Sequence, residues 1–159
     1  MSGGISLKAN TRIQIGWAFV AGLAIGWVLW MTLRPDATAN STNLVPFREH
    51  AQAVRCLLNG CPAAMRAARF LFIDVLGNTL VFFPIGFSLV GALAGLPNRR
   101  RWWTAVLASA ILSISIEIIQ LTIPSRATDV DDVLFNTVGA AMGAALMVVT
   151  QRRPERNGD

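Results

Sequence analysis

Four long apolar blocks alternate with charged or turn-rich stretches along the chain, at residues 13–33, 70–96, 102–123 and 133–150. The first lies between Arg12 and Arg34 and carries no charge. At about 1.5 Å per residue, a helix of this length crosses a hydrocarbon core of roughly 30 Å. The pattern predicts an all-α, polytopic membrane protein, a bundle of four transmembrane helices. Lys8 and Arg12 precede the first block and Ala37-Thr38-Ala39 resembles a cleavage site, so a signal peptide competes with a retained helix. The run exceeds an ordinary h-region, and the retained helix is the expectation. Trp27 and Trp30 near its far end suit an interface or simple lipid-facing bulk. In the second block Pro84 removes a backbone donor, which predicts a kink and leaves the Leu80 carbonyl unpaired. Gly77, Gly86, Gly91 and Gly95 permit close helix packing.

Composition supports the membrane reading: of 159 residues, 53% are hydrophobic and 14% charged, and mean hydropathy is +0.50. A net charge of +5 raises nucleic acid as a partner, but the arginines flank apolar blocks instead of forming one basic face. Nucleic-acid binding is not expected. Pro97-Asn98-Arg99-Arg100-Arg101 packs three arginines into a short turn, which places that turn on the cytoplasmic side. Lys8, Arg12, Arg152, Arg153 and Arg156 then fall inside as well. Arg34, Arg48, Arg55, Arg66, Arg69 and Arg126 fall outside, spread over longer segments. The expectation is a multi-pass cell-membrane protein with both termini cytoplasmic, residues 1–12 and 150–159 inside and a loop at 34–69 outside.

That loop is too polar to span a membrane and has room for a short amphipathic helix around residues 46–58. Cys56 and Cys61 flank Leu-Leu-Asn-Gly, where Asn59-Gly60 is a turn signal that brings the thiols together. In an oxidising space a local disulfide is one outcome and free thiols the other. Metal binding is not expected: the spacing does not suit zinc, and His50, the only histidine, leaves too few ligands. No cofactor is expected.

Polar residues interrupt the blocks at helical spacing. Glu117 and Gln120 share a face with Ser113, Asp74 shares one with Asn78, and Asn136 lies on a stripe with Gly139, Ala140 and Gly143. Counted from the nearer block ends, Asn78, Glu117 and Asn136 fall at one depth, roughly 9–12 Å below the outer surface. Arg126, Asp129, Asp131 and Asp132 sit above them at the mouth. Carboxylates inside apolar runs are expensive and point to function.

Asn43-Leu44-Val45-Pro46-Phe47, then Asn78 with Phe83-Pro84-Ile85-Gly86, then Glu117-x-x-Gln120 are the first parts of an ordered set. Arg126-x-x-Asp129-x-x-Asp132-x-x-x-Asn136-x-x-Gly139-x-x-x-Gly143 completes it. The set resembles the VanZ-like membrane proteins, over roughly residues 44–149 within a membrane domain of 13–149. The resemblance implies a small polytopic protein, and through the family's namesake a link to teicoplanin resistance, but no settled activity. The Cys56/Cys61 loop has no counterpart in that pattern.

Three functions follow. The first is a non-enzymatic envelope protein whose outer cluster binds an amphiphile, either a lipid-linked cell-wall precursor or a lipoglycopeptide. Arg126 would meet phosphate or carboxylate, and Asp129 and Asp132 would hold Arg126 or meet amines and sugar hydroxyls. Asn78, Glu117, Gln120 and Asn136 would line the floor. The second is an intramembrane enzyme on lipid-linked material, with Glu117 or Asp132 as general base, but no nucleophile motif supports it. Asp131 and Asp132 are adjacent and diverge on a helix, so Asp129 with Asp132 is the better pair for a divalent ion, and a helix start is the plainer reading. The third is structural: polar side chains join helices, Gly139 and Gly143 pack a neighbour, and the protein assists a larger envelope assembly. Beyond membrane lipids the partners stay open, as does the oligomeric state.

Overall fold

The computed structural model describes residues 3–34, 42–123 and 126–151, with side chains from residue 11 onward. The cleavage-like sequence at 37–39, the side chain of Lys8, and Arg152, Arg153 and Arg156 lie outside the described residues. The element order is α1 (Gly3–Leu33), β1 (Thr42–Asn43), α2 (Arg48–Leu58), α3 (Ala64–Ala92), α4 (Asn98–Gln120), β2 (Thr128–Asp129) and α5 (Val130–Thr150). Among the described residues α1, α3, α4 and α5 are long and apolar enough to cross a membrane. The protein is an all-α, multi-pass bundle, with α2 lying across one end.

The helix ends differ from the apolar blocks in informative ways. α3 starts at Ala64, not Phe70, so Arg66 and Arg69 are helical. Its 29 residues reach about 43 Å, longer than a hydrocarbon core. α4 starts at Asn98, which puts Arg99, Arg100 and Arg101 in its first turn and not in a loop. Arg101 is buried there, donating to Asn98 Oδ1 at 2.6 Å and to Gln151 Oε1, and so ties the start of α4 to the end of α5. α3 continues through Pro84 to Ala92.

α3 and α5 form the most extensive contact in the bundle. The reason is the absence of side chains at three positions. A Cβ on Gly139 would lie 2.0 Å from the Thr79 carbonyl oxygen, one on Gly143 2.0 Å from that of Phe83, and one on Gly86 1.9 Å from that of Ala140. The backbones therefore touch directly, as small residues allow in lipid. Gly91 faces Trp17 of α1 and Met147 of α5, whereas Gly77 faces open space. Val28, Phe82, Ile85, Ile116 and Ala140 fill the centre; Val90, Ala105, Val106, Ala144, Met147 and Val148 fill the end away from α2. α1 packs on α3 and leaves Phe19, Leu23 and Trp27 exposed, a surface suited to lipid.

α2 ends in a local motif. Asn59 caps it and Gly60 takes φ 64°. The Cys61 N–H donates to the Cys56 carbonyl at 3.0 Å and the Gly60 N–H to Leu57 at 3.4 Å, the two bonds of a Schellman ending. This turn brings the Cα atoms of Cys56 and Cys61 to 5.1 Å, and their sulfurs are bonded. β1 and β2 pair in parallel, Thr42 beside Thr128 and Asn43 beside Asp129, strapping the segment before α2 to the segment before α5.

Candidate functional site

The C-terminal ends of α1 and α4 and the N-terminal ends of α3 and α5 meet beneath α2, and the polar side chains of the bundle gather there. Adjacent acids on a helix point about 100° apart, and here each goes to a different partner. Asp131 is fully buried. Its oxygens accept the Phe47 N–H at 2.9 Å, and its Oδ2 lies 2.9 Å from His50 Nδ1. Phe47 holds φ 58°, a left-handed conformation that is costly for a bulky residue, and the bond of its N–H to a carboxylate offsets that cost. The other face of the imidazole serves α3: Nε2 lies 3.0 Å from Asp74 Oδ2, in ion-pair range but off the line of a hydrogen bond. Phe70 and Phe135 flank the ring at 5.3 and 5.1 Å. His50 thus joins α2, α3 and α5 through one ring.

His50 is the residue that sequence reasoning misses, and with it the partner of Asp131, which the sequence places at the mouth. The only signal for His50 is its place three residues after Phe47 in a strap with polar partners far along the chain. For Asp131, adjacency to Asp132 argues against a shared site and is instead the reason both acids are used.

Asp132 turns to α3 and accepts from Asn78 Nδ2 at 2.5 Å. Asp129 caps α5, accepting the Asp131 N–H at 2.9 Å, and accepts from Asn43 Nδ2 at 3.2 Å. The Asp129 N–H donates to Glu117 Oε2 at 3.1 Å. Asn136, one turn deeper than Asp132, donates to Ser113 Oγ at 2.8 Å, and Gln120 donates to the Thr32 carbonyl at 2.9 Å. Arg126 donates to the Arg34 carbonyl at 3.3 Å, and its buried Nε has no hydrogen-bond partner among the described residues. Asp129 and Asp132 are held by asparagines, and among the described residues neither forms an ion pair with Arg126.

The expected cluster is built as three hydrogen-bonded layers whose carboxylates lie within Coulombic range of one another, Asp132 facing Asp74, Glu117 and Asp129. Asp129, Glu117 and Asn43 form one set, Asp131, His50 and Asp74 a second, and Asp132 with Asn78 a third. Asn136 with Ser113 and Gln120 with Thr32 are separate interhelical ties. Among the described residues, no group of three or more His, Cys, Asp and Glu is placed to hold a metal ion.

A groove of about 430 Å³ opens beside these layers, between α4, α5 and the strap. Leu44, Pro46, Ile114, Ile118, Val133 and Leu134 make its walls, and Glu117 is the one charged residue among those lining it. Strap, asparagine, Glu-x-x-Gln and acid-rich start of α5 thus form one assembly in space. A family model described as VanZ/LLP1 matches residues 16–151. The chain belongs to the VanZ/LLP1 family. No curated protein and no solved structure matches it. The matched range spans part of α1 and all of α2 to α5.

Proposed function

We propose that this VanZ/LLP1 protein is a non-enzymatic cell-membrane protein that binds an amphiphile, with the acyl chain in the groove and the polar head at Glu117 and Arg126. The observation that carries the reading is a carboxylate on an otherwise apolar groove at the polar end of the bundle. Each buried methylene contributes about 0.8 kcal/mol when moved from water, but little when it comes from lipid, so the groove orients the chain while the polar contacts set preference. Glu117 suits an amine or sugar hydroxyl. Arg126, bonded to one backbone carbonyl and with its Nε unpartnered among the described residues, suits phosphate or carboxylate. A lipid-linked cell-wall precursor and a lipoglycopeptide such as teicoplanin both have this chemistry.

The reading assigns the α2 end to the outer face and both termini to the cytoplasm. Arg99 and Arg100 at the opposite end, next to short connections, support that orientation. Reporter fusions at both termini test it directly. For the site, fluorescent teicoplanin is titrated onto protein in nanodiscs, for the wild type, Arg126→Ala, Glu117→Gln and Ile118→Trp. Saturable wild-type binding that weakens in all three variants at equal abundance supports the site; equal binding by all four removes it. Teicoplanin susceptibility of cells carrying the same variants then tests the link to resistance.

A structural role is favoured for the two separate interhelical ties. Asn136 with Ser113 and Gln120 with Thr32 are pairs between helices away from the groove lining, and we assign them to holding the bundle.

A further inference from the structure

On the side of α3 that faces α2, a second cavity of about 330 Å³ is lined by Arg66, Arg69, Phe70, Ile73 and Asp74. These positions are spaced three and four apart and make one stripe along the helix, basic at its start and acidic at its end. Ordinary intrahelical ion pairing does not account for it. A carboxylate pairs with a cation three or four residues away, and the residue four before Asp74 is Phe70. Asp74 instead leans on His50, with Oδ2 3.0 Å from Nε2, and remains partly exposed. Arg66 and Arg69 are exposed and form no ion pair among the described residues. Two guanidinium groups and a carboxylate thus face one cavity without neutralising each other.

We propose that this cavity is a second site, independent of the groove, for the headgroup of a zwitterionic aminophospholipid. The phosphate lies between Arg66 and Arg69, the ammonium reaches Asp74, and Phe70 and Ile73 support the start of the acyl chains. Arg69 and Asp74 are about 7.5 Å apart along the helix axis, and the arginine side chain spans part of that gap, so phosphate and amine of one short headgroup reach both. Charge complementarity selects the occupant. Phosphatidylglycerol offers the phosphate without the amine, and the trimethylated amine of phosphatidylcholine has no N–H to donate to a carboxylate. His50, held from behind by Asp131, lies against the buried Oδ2 of Asp74 and leaves the partly exposed remainder of that side chain to the cavity.

The test uses the full chain in nanodiscs of mixed phosphatidylethanolamine, phosphatidylglycerol and phosphatidylcholine with matched chains, with retained lipids counted by native mass spectrometry. Wild type is expected to retain phosphatidylethanolamine about tenfold over the other two, the scale of one charge-assisted contact. The surface double variant Arg66→Gln/Arg69→Gln is expected to lose that retention. Asp74→Asn is expected to keep phosphate binding and lose the preference for phosphatidylethanolamine over phosphatidylglycerol. Soluble glycerophosphoethanolamine separates sources: failure to displace the lipid supports a membrane-borne headgroup, and full displacement overturns it in favour of a free phosphorylated amine. Equal retention of phosphatidylethanolamine and phosphatidylglycerol by wild type, or unchanged retention in the double arginine variant, overturns the proposal. Retention lost in the double arginine variant and kept in Ile118→Trp assigns the lipid to this cavity; retention lost in Ile118→Trp and kept in the double arginine variant assigns it to the groove and overturns the proposal.

Discussion

The backbone N–H of Asp129 donates to the carboxylate of Glu117 at 3.1 Å, closing the turn between α4 and α5. An amide oxygen accepts the same bond, so Glu117→Gln is expected to keep its abundance and its melting temperature in detergent while teicoplanin binding falls about tenfold. Glu117→Leu leaves a part-buried N–H unpaired, at a cost of about 1 kcal/mol. Thermal unfolding followed by size-exclusion fluorescence separates the two: a stable Leu variant, or an unstable Gln variant, contradicts the bond's role.

Replacing His50 removes one partner from two carboxylates at once. Leaving a buried acceptor without its partner costs about 1–3 kcal/mol, and His50→Ala is expected to lower the free energy of unfolding by that order. His50→Gln, which restores one donor to Asp131, is expected to recover part of the loss. Equal stability of His50→Ala and wild type would mean that α2 is not held by this ring.

The glycines divide into two classes that a single substitution distinguishes. Gly143→Ala forces a Cβ toward the Phe83 carbonyl oxygen, 2.0 Å away if nothing moves, so α3 and α5 must separate. Gly77→Ala meets nothing within 4 Å. The first is expected to lose about 1–3 kcal/mol, as overpacking does, and the second to be tolerated. Membrane abundance and melting temperature of both variants, measured side by side, check this.

The Cys56–Cys61 bond closes a short loop in which the Schellman bonds already hold the turn. Chain entropy for a loop of this length gives about 2 kcal/mol, an upper figure where local bonds constrain the unfolded chain. The Cys56→Ser/Cys61→Ser double variant is expected to be slightly less stable with unchanged helix content by circular dichroism. Loss of α2 helicity would show that the bond, and not the Gly60 turn, ends the helix.

The four spans are legible because their signal is local: long apolar runs between charges need no knowledge of partners. Asn78, Glu117, Asp129, Asp132 and Asn136 are legible as polar residues that need a reason, since each interrupts or begins such a run. Their partners are not legible in the same way. Helical spacing puts Asn78, Glu117 and Asn136 at one depth, but Asn136 pairs one turn deeper than Glu117, with Ser113, because the offset between α4 and α5 is a tertiary feature that spacing along either helix does not carry. His50 depends on Phe47 adopting a left-handed backbone, a choice no propensity favours and only the distant Asp131 rewards. The cavity beside Arg66 depends on α3 starting at Ala64, in a stretch whose arginines read from sequence as loop.

The strap's pairing also sets an order of events. Asn43 binds Asp129 across 86 residues of chain. With synthesis at about 5–20 residues per second, that separation of 86 corresponds to roughly 4–17 s between the emergence of the two partners. During that interval Asn43, His50 and Asp74 wait without the carboxylates of α5. The polar end of the bundle therefore stays open until the start of α5 has been made, and a nascent chain that stalls before Thr128 presents an unsealed membrane protein to the cell's quality-control proteases.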